Sequence, residues 1–265
     1  MPTASLPRLL ASLALVAGSA LAQAGEPLPD CSRPRTLALH EHGLLYDRQT
    51  GEGIDKDIAD ELSRRSGCRL NLVVMPRARI WQLIESGGLD FSLSGISNPQ
   101  REQFAAFAWY FSNPYYLLVR RDSGIQRVDD FARNPALRLG AIRGFRYSPH
   151  ANRMVDTLDA DLRVSYATGL APLYETLLAN RIQGMIIEPF DYPALESARI
   201  REQTTILAFD DPAVPHGLIM SRQAVSATEQ QRWRALVAQM RADGTVERIF
   251  DKYFKPELSR AMTRF

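Results

Sequence analysis

The fold is decided by residues 31–74, which read CSRPRTLALHEHGLLYDRQTGEGIDKDIADELSRRSGCRLNLVV. Apolar runs at Leu37–Leu39 and Leu70–Val74 predict two strands, and between them an isoleucine or leucine recurs every fourth residue over Ile54–Leu62, which is typical of a helix face. A strand, a helix and a strand in this order form a right-handed crossover that places the two strands parallel and adjacent. The sequence therefore predicts an α/β fold.

The composition is that of an ordinary globular protein. The chain has 265 residues, of which 45% are hydrophobic and 23% charged, and its formal net charge is +2. These values exclude a long disordered chain, a collagen-like repeat and a coiled-coil rod, and the length suits one or two domains. The near-neutral balance argues against a nucleic-acid-binding protein, which usually carries a basic stripe.

The first 24 residues have the pattern of a secretory signal peptide. Arg8 precedes the apolar run Leu9–Ala22, which is shorter than the roughly 20 residues that a membrane-spanning helix needs. Small residues allow cleavage after Ala22 or Ala24, and we expect the mature protein in the periplasm. A buried N-terminal helix is the alternative interpretation.

The only two cysteines, Cys31 and Cys68, each stand just ahead of one of the first two strands. Parallel neighbours begin at the same edge of a sheet, so the two thiols should lie close together. Because an exported protein meets an oxidising compartment, we predict a disulfide between them. Two free buried thiols are the alternative.

Strands and helices continue to alternate along the rest of the chain. Further strands are predicted at Leu89–Leu93, Tyr115–Val119, Leu137–Ile142, Arg163–Ala167, Gly184–Ile187 and His216–Met220, with helices between them and at the C-terminus. The segment around Pro99 leads into one of these helices. The pattern predicts mostly parallel sheets in two half-size series that divide near residue 119, and therefore two lobes with a cleft.

Five short segments follow one another in a characteristic order. They are Gly53–Asp57 (GIDKD), Glu85–Asp90 (ESGGLD), Pro99–Arg101 (PQR), Phe111–Tyr116 (FSNPYY) and Ala242–Phe254 (ADGTVERIFDKYF). Together they resemble the polar amino-acid family (family 3) of bacterial periplasmic solute-binding proteins. The resemblance implies a type II periplasmic binding fold of Venus-flytrap form, with lobe 1 at residues 25–118 and 217–265 and lobe 2 at residues 119–216.

Arg101 falls in the first turn of the helix expected after Pro99, where the helix dipole disfavours a cation unless it reaches an anion. A guanidinium group with backbone N–H groups can hold a carboxylate through two hydrogen bonds. The resemblance implies that Arg101 holds the carboxylate of the solute, with Gly95 and Ser97 beside it. Family members commonly have one more residue between their glycine and this arginine. Ser97 therefore takes only approximately the position of the threonine that contacts the solute in the family. A solvated arginine paired with an acid is the alternative.

Arg77 and Arg79 open the helix after the second strand and raise the same electrostatic question. Residues two apart on a helix point to different faces, so at most one of them needs to reach the cleft. That arginine either pairs with an acid or adds positive charge for an anionic solute. Tyr46 follows the first strand, and the resemblance implies that an aromatic ring there stacks on the solute.

In lobe 2, Gly144 lies in a strand–turn–helix entry that offers backbone N–H groups to an anion. Phe145 stands where the family has hydroxyl residues, which permits a different or larger ligand. Glu188 ends an apolar strand, and a carboxylate there is costly unless it is paired or lies at the cleft. The resemblance implies that Glu188 holds the ammonium group of the solute; a structural ion pair is the alternative.

No cofactor site and no catalytic constellation is predicted. His40 and His42 lie on one strand face, but the sequence offers no third ligand for a metal ion. There is no glycine-rich phosphate loop, nucleophile elbow or Cys/His pair.

The sequence therefore predicts a binding protein, not an enzyme. We expect the periplasmic component of an ABC transporter, a monomer that captures a small, carboxylate-bearing, amino-acid-like solute and delivers it to an inner-membrane permease. One alternative is a periplasmic receptor that senses its ligand without transport. Another is an enzyme similar to the cyclohexadienyl dehydratases, which share this fold.

Overall fold

The computed structural model describes residues 27–265, and the predicted signal peptide lies outside that range. The strands are β1 (Arg35–Leu39), β2 (Leu70–Val74), β3 (Phe91–Gly95), β4 (Ala105–Asn113), β5 (Tyr116–Arg120), β6 (Leu139–Ile142), β7 (Val164–Ala167), β8 (Gly184–Ile187), β9 (Thr204–Ala208) and β10 (Val214–Ser221). The helices are α1 (Ile54–Ser66), α2 (Arg77–Ser86), α3 (Arg101–Phe104), α4 (Val128–Arg133), α5 (Pro149–Ala160), α6 (Leu170–Leu178), α7 (Tyr192–Leu195), α8 (Ala198–Gln203), α9 (Ala227–Ala242), α10 (Thr245–Phe250) and α11 (Pro256–Thr263). Within residues 27–265, none of these helices combines the length and apolar character that crossing a bilayer requires.

The strands form two five-stranded sheets, which confirms the predicted two-lobe α/β fold. Their orders are β2-β1-β3-β10-β4 and β7-β6-β8-β5-β9. The sequence predicted mostly parallel sheets, but both are mixed: β10 runs antiparallel to β3 and β4, and β5 runs antiparallel to β8 and β9. The reason is topological, because β5 and β10 are entered from the other sheet and not through a strand–helix–strand crossover.

The chain passes between the two sheets at two places, after Asn113 and again between Ala208 and Val214. We call the part that contains the first sheet lobe 1 and the part that contains the second sheet lobe 2. The lobe boundaries that the sequence predicts, after residues 118 and 216, fall within β5 and β10 and stay a prediction.

The opening strand–helix–strand unit has the predicted geometry. β1 pairs in parallel with β2 along its whole length, and Ile54, Ile58 and Leu62 of α1 are buried against the sheet. Cys31 and Cys68 form a disulfide with a Cα–Cα distance of 4.8 Å. The predicted pairing of the two cysteines is therefore confirmed.

Two strands were missed by the sequence analysis. The segment after Pro99 was expected to continue as a helix, but α3 has only four residues and β4 follows it directly. Residues of β4 are buried on both faces, so the strand lacks the alternation of apolar and polar residues that would have identified it. β9 is short and begins with two threonines, and its position at the sheet edge leaves little apolar pattern.

We predict that the disulfide contributes about 4 kcal/mol to the free energy of unfolding. It joins residues 37 positions apart, and closing a loop of that size restricts the unfolded chain. Urea denaturation of the double variant Cys31→Ala/Cys68→Ala should show this loss relative to the oxidised wild type. Reduced wild-type protein is the matched control and should unfold like the variant; equal stability of the oxidised protein and the variant would contradict the prediction.

Candidate functional site

The two lobes meet at the ends of their strands, where the predicted binding residues lie. Side-chain hydrogen bonds join the lobes, among them one in which Nη2 of Arg101 in lobe 1 donates to the carbonyl oxygen of Gly144 in lobe 2 over 2.8 Å. Nearby, the backbone N–H of Leu44 donates to the carbonyl oxygen of Phe190 over 3.0 Å. The cleft predicted between two α/β units therefore exists and is closed in this structure.

Gly144 allows this close approach. Its φ is +85°, and a Cβ atom at this position would lie 2.8 Å from the Cα of Ala78 in the other lobe. Any larger residue would meet backbone there, and it would also be strained by the left-handed conformation.

Arg101 is buried and lies at the centre of the cleft. Its backbone N–H donates to Oδ1 of Asn98 over 2.8 Å, which satisfies a free donor at the start of α3. Its guanidinium group donates to the carbonyl of Ile96 over 2.9 Å, besides Gly144, and stacks 3.9 Å above the ring of Trp81. Arg101 forms no ion pair with any residue in the described range, so the alternative of a solvated arginine paired with an acid is not what the structure has. Burial lowers the pKa of Arg101 to about 9, and nearby Arg77 adds to the shift, so the group stays charged at neutral pH.

Arg77 is the second buried arginine. It donates to the carbonyl of Leu93 over 3.0 Å and lies 5.7 Å from the ring of Phe145, and within residues 27–265 it also forms no ion pair. Burial lowers its pKa, and Asp55 partly opposes this. Arg79, in contrast, is exposed and contacts Gln82. Of the two arginines between which the sequence could not choose, Arg77 faces the cleft.

Asp55 is a buried acid that the sequence analysis did not single out. Its Oδ1 accepts hydrogen bonds from Oγ of Ser94 at 2.5 Å and from the hydroxyl of Tyr110 at 3.2 Å. Burial raises the pKa of Asp55 to about 6. A signal was present, because Asp55 shares the buried face of α1 with Ile58 and Leu62 at helical spacing.

Glu188 is buried between partners from both lobes. Its Oε1 lies 2.8 Å from Nε2 of His42, and its Oε2 accepts a hydrogen bond from Nδ2 of Asn113 over 3.1 Å. The backbone N–H of Glu188 donates to Oδ2 of Asp191 over 3.0 Å. Burial alone would raise the pKa of Glu188, but the pKa is lowered, mainly because His42 lies against the carboxylate. Burial alone would lower the pKa of His42, but Asp191, whose Oδ1 lies 3.7 Å from Nε2, and Glu188 together raise it. Both carboxylate oxygens therefore have protein partners, as the structural ion-pair alternative requires.

Tyr115 and His216 complete the polar lining with neutral groups. The hydroxyl of Tyr115 lies 3.1 Å from Nε2 of His216, whose ring stacks on Phe111. Burial lowers the pKa of His216 to about 4, so the imidazole is neutral at pH 7. Neither residue was predicted to line the site, although Tyr115 belongs to the segment FSNPYY and His216 begins a predicted strand.

A cavity of about 20 Å³ lies among these groups; we call it the arginine pocket. Its lining includes Arg77, Arg101, Gly95, Gly144, Phe145 and Glu188. Tyr46 and Ser97 do not line it: Tyr46 packs against the core of lobe 1 and Ser97 lies just beyond Ile96. The pocket has room for about one water molecule, so a solute must enter while the lobes are apart.

A larger outer cavity of about 700 Å³ is lined by both lobes, and Phe145 of the arginine pocket packs against two histidines of that cavity. Its ring centre lies 5.4 Å from that of His40 and 5.1 Å from that of His42, and both histidines line the outer cavity. Burial lowers the pKa of His40 to about 2. Within residues 27–265 no group of three or more His, Cys, Asp or Glu side chains is placed to hold a metal ion.

Comparison with known proteins places this geometry in a family. The model of the bacterial extracellular solute-binding proteins, family 3, matches residues 42–256. No curated protein matches the sequence.

Solved structures share the fold at low sequence identity. The ligand-binding core of GluR0 from Nostoc punctiforme, in complex with L-glutamate, has 14% identity and a TM-score of 0.69, and the match covers 84% of this chain and 100% of that one. An ancestral arginine-binding protein bound to arginine has 17% identity and a TM-score of 0.70, with 85% and 100% covered. The substrate-binding protein of an ABC uptake transporter from Streptococcus pneumoniae, with bound histidine, has 17% identity and a TM-score of 0.68, with 83% and 92% covered. The chain therefore has the two-lobe fold of the type II periplasmic binding proteins.

We predict that Asp55 makes the stability of the protein fall as the pH rises from about 4 to about 6. Its pKa is higher in the folded chain than the ordinary value of 3.8, so the folded state binds the proton more tightly and loses that advantage once Asp55 ionises. The difference in unfolding free energy between wild type and Asp55→Asn should therefore change by about 3 kcal/mol over this range.

Urea denaturation at several pH values measures this difference. Asp60→Asn, at an exposed position of the same helix, is the matched control because it removes a carboxylate without emptying the buried network. A difference between wild type and Asp55→Asn that stays constant from pH 4 to pH 7 would rule out the assignment.

Proposed function

Because this chain belongs to the bacterial extracellular solute-binding proteins of family 3, we propose that it is the periplasmic solute receptor of an ABC transporter. It captures a small carboxylate-bearing solute in the cleft between its lobes. The solute is transferred from there to an inner-membrane permease, and the receptor acts as an exported monomer without catalytic activity.

One observation carries this proposal: two buried guanidinium groups face the cleft without an acidic partner. Arg77 and Arg101 donate to backbone carbonyl groups and form no ion pair within residues 27–265. A buried charge that is not neutralised is costly, and a carboxylate supplied by a solute removes that cost. A guanidinium group also matches the two oxygens of a carboxylate in geometry.

Contacts between the lobes supply the conformational response. Arg101 reaches Gly144 across the cleft, and His42 of lobe 1 contacts Glu188 of lobe 2. A solute that touches both lobes binds the closed form better than the open form and therefore shifts the population toward closure. A permease can recognise this closed form.

The structural neighbours support the class of solute. Their bound ligands are glutamate, arginine and histidine, each of which carries a carboxylate. The side chains of these three ligands differ, so the carboxylate is the shared group that an arginine can bind.

Replacing Arg101 by alanine should weaken solute binding at least 100-fold, since a charged hydrogen-bonded partner contributes about 1.5–3 kcal/mol per bond. The solute is first identified by thermal-shift screening of amino acids and small organic acids, because a bound ligand raises the melting temperature. Calorimetry with the best compound then gives the affinity of each variant.

Arg79→Ala is the control for this experiment. It removes an arginine from the first turn of α2 that lies outside the arginine pocket, so it should bind like wild type. Unchanged affinity of Arg101→Ala, with an intact circular dichroism spectrum, would show that the clamp is misassigned.

A further inference from the structure

Positively charged side chains outnumber negatively charged ones in the lining of the arginine pocket. Arg77, Arg101 and Arg146 line it, whereas Glu188 is the only acid in its lining. Arg146 extends toward Asp156 of its own lobe, with 2.6 Å between Nη1 and Oδ1. Arg77 and Arg101 keep their positive charge for the pocket, as shown above.

Both oxygens of Glu188 already have partners within the protein, one of which, His42, also lies 3.7 Å from Oδ1 of Asp191. His42 lies against one oxygen of Glu188 at 2.8 Å, and Asn113 donates to the other. His42 is itself buried, and the ring of Phe145 packs against it. An ammonium group that entered the pocket would therefore meet a carboxylate that already has partners on both oxygens and shares its charge with His42.

The remaining polar groups of the pocket suit a neutral substituent. Tyr115 and His216 carry no charge at pH 7, and their hydroxyl and imidazole groups can hydrogen-bond to an alcohol or carbonyl oxygen. Neither provides the negative charge that an ammonium group needs once it leaves water.

From this arrangement, and resting on the function proposed above, we propose that the pocket selects carboxylates that lack an α-ammonium group. Arg77 and Arg101 hold the carboxylate, and His42, from outside the lining of the pocket, pairs with the one acid that could attract an ammonium group. The solute is accordingly a small unsubstituted, hydroxy or oxo acid, and not an amino acid.

Calorimetry of the mature wild-type protein with matched compounds tests this class. The panel contains the common amino acids and, for each, the 2-hydroxy acid and the acid without the amino group, such as L-alanine with L-lactate and propionate. We expect the tightest binder to be a deaminated compound whose amino acid binds at least tenfold more weakly.

The two proposals fail in different ways. If an amino acid binds as tightly as its deaminated partners, the selection proposed here is overturned and the receptor function stands. If no carboxylate of the panel binds, the receptor function fails and this inference fails with it.

A histidine variant tests the cause of the selection. His42→Ala removes the partner of Glu188, so the preference should move at least tenfold toward the amino acid of the matched set. His40→Ala is the control, because His40 also packs against Phe145 but forms no ion pair with Glu188, and it should keep the wild-type preference. An unchanged preference in His42→Ala would contradict the role assigned to His42.

Glu188→Gln gives an independent measurement if His42→Ala does not fold. Because the proposal gives Glu188 no role in binding an ammonium group, the ratio of the affinities for an amino acid and for its deaminated partner should stay within about threefold of the wild-type ratio. A loss of more than tenfold in the affinity for the amino acid relative to its deaminated partner would mean that Glu188 holds the ammonium group and would overturn the proposal.

Discussion

Two guanidinium groups, those of Arg77 and Arg101, leave water without gaining a carboxylate. Backbone carbonyl groups and aromatic rings solvate them instead, which satisfies their hydrogen bonds but does not cancel their charge. The buried surroundings of these guanidinium groups have a low dielectric constant. A buried arginine therefore attracts a nearby anion more strongly than a surface arginine would. Because Arg101 also reaches Gly144, the group that we propose as the carboxylate clamp joins the two lobes as well.

The acids near the arginines are arranged so that they do not neutralise them. Asp55 accepts from the hydroxyl groups of Ser94 and Tyr110, and Glu188 is held by His42. Both acids therefore form their hydrogen bonds with groups other than the two arginines. The buried arginines and the buried acids lie close together but do not pair with each other. Their charges give the cleft a fixed electric field, and such a field selects a ligand more specifically than the net charge of the protein does.

The sequence predicted those features that depend on neighbours along the chain. The first strand–helix–strand unit, the disulfide, the helix start before Arg101 and the turn at Gly144 all follow from local patterns, and Arg101 could be singled out because a cation is disfavoured where it lies. The contact between His42 and Glu188 could not be predicted, because it joins residues of different lobes, and no periodicity in one sequence reports such a distance. β4 was missed for a related reason: helices and strands cover both its faces, which removes its alternating pattern.

The position of β10 governs the order in which the protein can assemble. This strand lies between β3 and β4, inside the first sheet, yet it begins only at Val214. Lobe 2 is continuous in sequence and can complete its sheet as soon as β9 has been made. In the first sheet, β3 and β4 cannot be joined until β10 in the last fifth of the chain is available. Strand pairing between residues so far apart in the sequence is slow. While the chain folds, the first strand–helix–strand unit therefore persists as part of an incomplete lobe, and its exposed strand edges need protection until β10 inserts.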